Sequence, residues 1–302
     1  MVKNKAESTA RRAVMVRDNG NPYQEPSRGS RTGGNGWFPG SPRPDKGQRS
    51  FERKVRLRKW KYDWENGGTN ITVILIALCT LIWAVEEIMY FISRQTLESA
   101  ASYAELIPSL SFSRPWTMLT NLFLHAVPDP SHILFNMISL YIGGMMLERL
   151  LGHWEFLALY LISGFAGSVM YVIWWTYFGS GNFEAVLGAS GAIFGLFGAA
   201  IVASAKMGVR SGMQTGMRSN NLALIIFLGL VLIVPMMFGR VAWQAHIGGA
   251  AAGAFLAWLM TSGLPALRAK SIGRRMWIYG SALSAVLVVL WLVFGLLGPR
   301  LV

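Results

Sequence analysis

Of the 302 residues, 53% are hydrophobic and only 14% charged, with a mean hydropathy of +0.39, where a soluble domain carries about 25% charge. That balance excludes an ordinary soluble enzyme and implies an integral, all-α polytopic membrane protein with a polar tail. The single cysteine, Cys79, excludes an intrachain disulfide and any multi-cysteine metal centre, and no metal or other cofactor is expected.

Residues 1–66 form the basic tail. The stretch NPYQEPSRGSRTGGNGWFPGSPRPDKGQRS (21–50) has neither helical nor strand periodicity, and its Gly, Pro, Ser and Arg cannot bury a core, so the tail reads as disordered. FERKVRLRKWKYDWEN (51–66) is a basic, aromatic-bearing approach to the bilayer that suits lipid headgroups. The net charge of +13 sits beside apolar runs, where anionic lipid accounts for it, so no nucleic-acid partner is expected. The first apolar run starts near Asn70, too deep for a secretory leader.

Seven spans follow at roughly 70–92, 130–148, 155–178, 185–205, 219–239, 241–263 and 276–298, each near the ~20 residues a crossing helix needs. Three segments result: the tail 1–66, a six-span core 67–263 and a linker with a seventh span, 264–302. The connection 94–129 is long and not very polar, and PWTMLTNLFLHA (115–126) fits a loop embedded against protein. Trp174 and Trp175 read as interface anchors.

Lysines and arginines at span ends set the orientation. Arg53, Lys54, Arg56, Arg58, Lys59, Lys61, Arg149, Lys206, Arg210, Arg218, Arg268, Lys270, Arg274 and Arg275 fall on the N-terminal side, against Arg94, Arg114, Arg240 and Arg300 opposite. A cytoplasmic N-terminus is therefore expected.

Spans two, four and six then run the same way. Asn136, Ser190 and His246 each lie about five residues in, roughly 7–8 Å below the outer boundary, with His132 one turn above Asn136. Gly191, Gly195 and Ala199 form one small-residue ridge, and Ala245, Gly249 and Gly253 another, which lets the two helices approach closely. Alone, Ser190 reads as a packing residue and Asn136 as an interhelical hydrogen-bonder; a shared depth argues for a site instead. A serine hydroxyl becomes a nucleophile beside a neutral imidazole. The Asn136 amide, the His132 ring and the Ser190 N–H are candidate oxyanion donors. Glu148 and Glu184 lie away from that layer, so the set reads as a dyad. G-x-S-x-G fails at Ala192, H-E-x-x-H does not occur, and His125 with His132 lacks a third metal ligand.

GASGAIFG (188–195), HILFN (132–136), HIGGAAAG (246–253), FLHA (123–126) and GGMMLE (143–148), in this order across 115–255, resemble the rhomboid family of intramembrane serine proteases. The resemblance implies a six-helix transmembrane core, here with an added C-terminal helix as in a bacterial form, and so a bacterial cell membrane. It implies that Ser190 is the nucleophile, His246 the base, and His132 and Asn136 the oxyanion hole. Phe194 takes the place of the aromatic packed on the imidazole, which is tyrosine in many members. Thr117 follows Trp116 where members often carry arginine, and AVPDPS (126–131) lengthens the lead into His132. Gly188, Gly191, Gly249 and Gly253 are structural residues near the site. Glu148 is either a helix-end charge paired with Arg149 or, by the resemblance, an acceptor for neighbouring backbone. His125 reads as a structural group, and His153 has no assigned role.

The implied activity is endopeptidase cleavage in or near transmembrane helices of single-span membrane proteins, which unwind near their outer end to present a peptide bond. Span five, with Pro235 and Gly239 in VPMMFG, is the natural side gate. A non-catalytic rhomboid-like protein that binds transmembrane clients is the alternative. A small transporter is disfavoured by the absence of paired mid-membrane ionisable residues and of inverted repeats. The oligomeric state is not legible.

Overall fold

The computed structural model describes residues 46–179, 185–211 and 242–301. Span five at 219–239, the side gate expected there, and Glu184 lie outside the described residues. The chain divides into two compact units, Met1–Gly68 and Thr69–Val302.

In the first unit, α1 spans Lys46–Glu65, so the expectation of disorder across 1–66 fails for these twenty residues. The reason is local. Gly and Pro thin out after Pro44, Arg, Lys, Glu and Leu are good helix formers, and Glu52–Arg56 and Lys61–Glu65 pair at i,i+4.

The second unit is helical, with no strand among the described residues and one isolated antiparallel bridge, Leu106 to Val186. Helix α2 (Asn70–Ile92) is an aliphatic run free of Gly and Pro. It ends at Ser93, whose hydroxyl accepts the Thr96 N–H at 3.2 Å and so starts α3 (Arg94–Ala101). After α4 (Thr117–Thr120) come α5 (Ser131–Leu151) and α6 (His153–Phe178). Gly152 separates the last two at φ +100°, a conformation side chains disfavour. Then follow α7 (Ser190–Ser211), α8 (Trp243–Ser262), α9 (Pro265–Arg268) and α10 (Ile272–Leu301).

Helices α2, α5, α6 and Ile272–Phe294 of α10 are long and apolar enough to cross a bilayer, and Ser190–Lys206 is a shorter apolar helix. Helix α8 has the length, at 20 residues, but Gln244, His246 and its glycines dilute its apolar character. This is an all-α, multi-pass membrane architecture.

The core sits round α6. Its Ala166, Val169, Tyr171 and Val172 pack with Leu106 and Met118 from the loop, Ala245 and Ala252 from α8 and Leu287 from α10. Trp174, expected as an interface anchor, stacks edge-on to Trp243 at 4.8 Å and so also joins α6 to α8.

Helices α7 and α8 pack backbone to backbone. A methyl on Gly249 would collide with the Gly191 carbonyl, and one on Gly253 with the Gly195 carbonyl. Gly191 itself has room, since its added Cβ would lie 3.5 Å from the Ala245 oxygen. The close approach therefore depends on the α8 ridge more than on Gly191.

The connection 94–129 is folded tightly. Trp116 Nε1 donates to the Tyr103 carbonyl at 2.7 Å and Thr120 Oγ1 to that of Ala104 at 2.6 Å. Ser168 of α6 donates to the Met118 carbonyl at 2.9 Å and accepts from Asn121 at 3.1 Å. From α10, Trp291 stacks on Phe112 at 5.0 Å and donates to Ser111 at 3.3 Å. The Tyr103, Ala104 and Met118 carbonyls of the loop are thus met by protein side chains, as a segment at bilayer depth requires.

Candidate active site

Ser190 is the first residue of α7 rather than one turn inside a span. The run before it is apolar enough to read as helix, but Gly188 has φ +122° and breaks it. His246 is the fourth residue of α8 and Asn136 the sixth of α5. The helices begin at different levels, so the equal count of five residues does not hold, yet the groups still converge on one end of the bundle.

The decisive contact is between His246 Nε2 and Ser190 Oγ, 2.8 Å apart. The imidazole is 5% exposed and lies flat against Phe194, with ring centroids 4.3 Å apart and planes 12° from parallel. Its Nδ1 is buried and has no hydrogen-bond partner among the described residues. The ring is therefore oriented by stacking and by the helix packing beneath it, with no carboxylate bonded to it among those residues.

Opposite Ser190 lies a cluster of donors. His132 Nδ1 accepts the Ala126 N–H at 3.2 Å, so in a neutral ring the proton sits on Nε2. That Nε2 faces Gly188: a Cβ there would stand 2.9 Å from it and 3.9 Å from Asn136 Nδ2. Gly188 is thus required twice, by its φ and by this approach. Asn136 gives one N–H to the His132 carbonyl at 2.9 Å and keeps a second. The first N–H groups of α7, at Ser190 and after, have no intrahelical acceptor and carry the positive end of the helix dipole. Ser190, His246 and these donors lie together at one end of the bundle.

Residues 113–263, half of the chain, match the Rhomboid domain. The chain belongs to the rhomboid family. It is 29% identical to Rhomboid protease GluP of Bacillus subtilis (strain 168) over 78% of this chain and 42% of that one. It is 30% identical to Rhomboid protease AarA of Providencia stuartii over 47% of this chain and 54% of that one. With Rhomboid protease GlpG of Haemophilus influenzae the identity is 35% over 39% of this chain and 59% of that one. The chain spans about half the length of these curated relatives.

Within this rhomboid fold, the remaining predicted residues divide clearly. Glu148 is 0% exposed and does not pair with Arg149. Its carboxylate accepts the N–H of Ile71 at 2.7 Å, the N–H of Thr72 at 2.8 Å and the Thr72 hydroxyl at 2.6 Å, holding the start of α2. His153, given no role from sequence, hydrogen-bonds the same carboxylate through Nδ1. Gly249 and Gly253 act at the α7–α8 contact described above.

His125 is 1% exposed, and both its ring nitrogens lack partners among the described residues. Its ring centroid is 5.3 Å from that of His132.

Sequence reasoning missed two groups. Glu86 of α2 is buried at this end of the bundle, 3.4 Å from the His125 backbone N–H. A carboxylate in an apolar span was the available signal. Arg114 stands over the Tyr103 ring at 4.4 Å and donates to the Ser102 carbonyl at 2.6 Å. It places a guanidinium in the loop two residues before Trp116, whereas Thr117 after that tryptophan bonds the Arg114 carbonyl at 2.7 Å.

Proposed function

We propose that the chain is an intramembrane serine endopeptidase, cleaving peptide bonds in or near transmembrane helices of membrane proteins through a Ser190–His246 dyad. The observation that carries this reading is the 2.8 Å contact between His246 Nε2 and Ser190 Oγ. Phe194 against the ring and the donor cluster round Gly188 support it.

In this mechanism Ser190 Oγ attacks the scissile carbonyl carbon while His246 Nε2 takes its proton. The negative oxygen of the tetrahedral intermediate meets His132 Nε2–H, an Asn136 N–H and the Ser190 backbone N–H, donors already fixed before reaction. The imidazolium then gives its proton to the leaving amine, the C–N bond breaks and an acyl-serine remains. Water attacks that ester with His246 again as base and restores Ser190.

Substrates on this reading are single-span proteins whose helix opens near its outer end, because an intact helix keeps each carbonyl bonded and shielded. The N-terminus is cytoplasmic, in keeping with the lysine and arginine asymmetry. The core 67–263 carries six spans and 264–302 adds a linker and a seventh, in a bacterial cell membrane.

The test uses purified full-length protein in liposomes. Wild type is expected to react with a fluorophosphonate at Ser190 and to cut a model single-span substrate; Ser190→Ala does neither. Cleavage by Ser190→Ala would remove the dyad. A wild type that neither labels nor cuts would instead be a client-binding relative.

A further inference from the structure

A cavity of about 280 Å3 lies among the far ends of α5, α6, α7, α8 and α10. Ala203, thirteen residues after Ser190, and Met260, fourteen after His246, both line it, so it sits roughly 20 Å from the dyad along both helices. Leu147, Leu159, Ala199, Met260 and Met276 make its buried apolar wall. Leu150 and Ile272, each 37% exposed, line its margin and open it sideways.

Two guanidinium groups stand in the same lining, and no acidic residue does among the described residues. Arg268 donates through Nε and Nη2 to the Gly263 and Ser262 carbonyls, both at 3.0 Å, and Arg275 through Nη1 to Met260 at 2.6 Å. These bonds satisfy orphan carbonyls at the end of α8 and fix both cations in place. Each guanidinium has five N–H groups, so most remain available. Arg275 Nε is buried without a partner among the described residues, a position that costs stability unless an acceptor arrives. Glu155, whose carboxylate lies against Gly152 and Gly273, is outside the lining.

We propose that this cavity binds an anionic phospholipid of the leaflet opposite the dyad, its phosphate on Arg268 and Arg275 and one acyl chain among the leucines. Arginine pairs strongly with phosphate, and basic pockets between membrane helices take anionic headgroups. The volume falls just below the roughly 300–1,000 Å3 of whole-ligand sites, so it takes the first part of one chain, the remainder leaving past the exposed Leu150 and Ile272. A free phosphate would leave the apolar wall empty, and a zwitterionic headgroup would bring an ammonium with no carboxylate among the described lining residues. The site does not depend on the catalytic reading, and Ser190→Ala keeps it.

The test is native mass spectrometry of the full-length protein in mild detergent, with dioleoyl phosphatidylglycerol, dioleoyl phosphatidylcholine and inorganic phosphate as probes. Wild type is expected to retain one phosphatidylglycerol with about tenfold or greater preference over phosphatidylcholine. Arg268→Gln with Arg275→Gln is expected to erase that preference. Arg56→Gln with Lys59→Gln on α1 is expected to keep it; loss there would assign the lipid to α1 and overturn the site. Inorganic phosphate that raises the melting temperature as much as the lipid would also overturn it. Should the double arginine variant fail to fold, Ala257→Leu fills the cavity and leaves both arginines. It is expected to lose the lipid, and unchanged retention would overturn the proposal.

Discussion

Glu148 at one end of the helical bundle and two histidines at the other are buried polar groups treated in opposite ways. At one end Glu148 is enclosed and saturated, with two backbone N–H groups, a hydroxyl and His153 all on one carboxylate. At the other, His246 Nδ1 and both nitrogens of His125 are buried without partners among the described residues. Buried polar groups that only hold a fold are normally satisfied. The contrast therefore marks Glu148 as a fastening and the two histidines as groups left open to water or a substrate. It also yields variants that should separate activity from stability.

The largest effect falls on activity alone. Ser190→Ala removes one partly buried hydrogen bond and should lower cleavage by about 10⁴-fold or more while shifting stability by less than about 1 kcal/mol. Paired turnover and thermal-unfolding measurements check this. A large loss of stability would mean that the serine is a fastening as well.

Glu148→Ala should do the reverse. It strands the N–H groups of Ile71 and Thr72 and the Thr72 hydroxyl around a fully buried position, at a cost of about 3–5 kcal/mol. Activity per folded molecule should stay within about threefold. A Glu148 variant that is stable but inactive would collapse the distinction between the two ends.

Between them lies the α7–α8 contact that sets the dyad distance. Gly249→Ala drives a methyl into the Gly191 carbonyl and should cost about 1–3 kcal/mol. Gly191→Ala meets only an ordinary 3.5 Å contact and should be within about 1 kcal/mol of wild type. Equal losses in unfolding experiments would show that the two ridges matter alike.

What the sequence exposed and what it hid follow from where each residue's partners lie. Ser190 and His246 were legible only together, because the span count brings two polar groups in apolar runs to one face of the membrane, where each is costly. The level of Ser190 was not, because Ala185, Val186 and Leu187 look helical and only the φ of Gly188 ends the run. Glu148 was open to two readings, since its acceptor role depends on Ile71 and Thr72, over seventy residues earlier. Arg114 depends on the fold of Ser102 and Tyr103, which periodicity does not encode. The helix α1 was obscured by the Gly- and Pro-rich composition just before it.

The smallest effect concerns how each end secures a helix start. Helix α2 begins on the buried Glu148, whereas α5, which carries His132 and Asn136, begins beside Asp129, an exposed carboxylate two residues away. Asp129 accepts the Ser131 N–H at 2.9 Å and the Ser131 hydroxyl at 2.7 Å. Those bonds, the backbone one first, hold its pKa below the ordinary 3.8. A lowered folded value means the stabilisation is complete above pH 3.8 and is lost as pH falls through the folded value. Wild type should therefore lose melting temperature slightly faster than Asp129→Asn as pH falls from about 5 to 3, the difference cancelling every other carboxylate. Full solvent exposure keeps the effect small. Parallel melting curves would mean that α5 is positioned by its packing alone, and that the open end of the bundle needs no fastening at its surface.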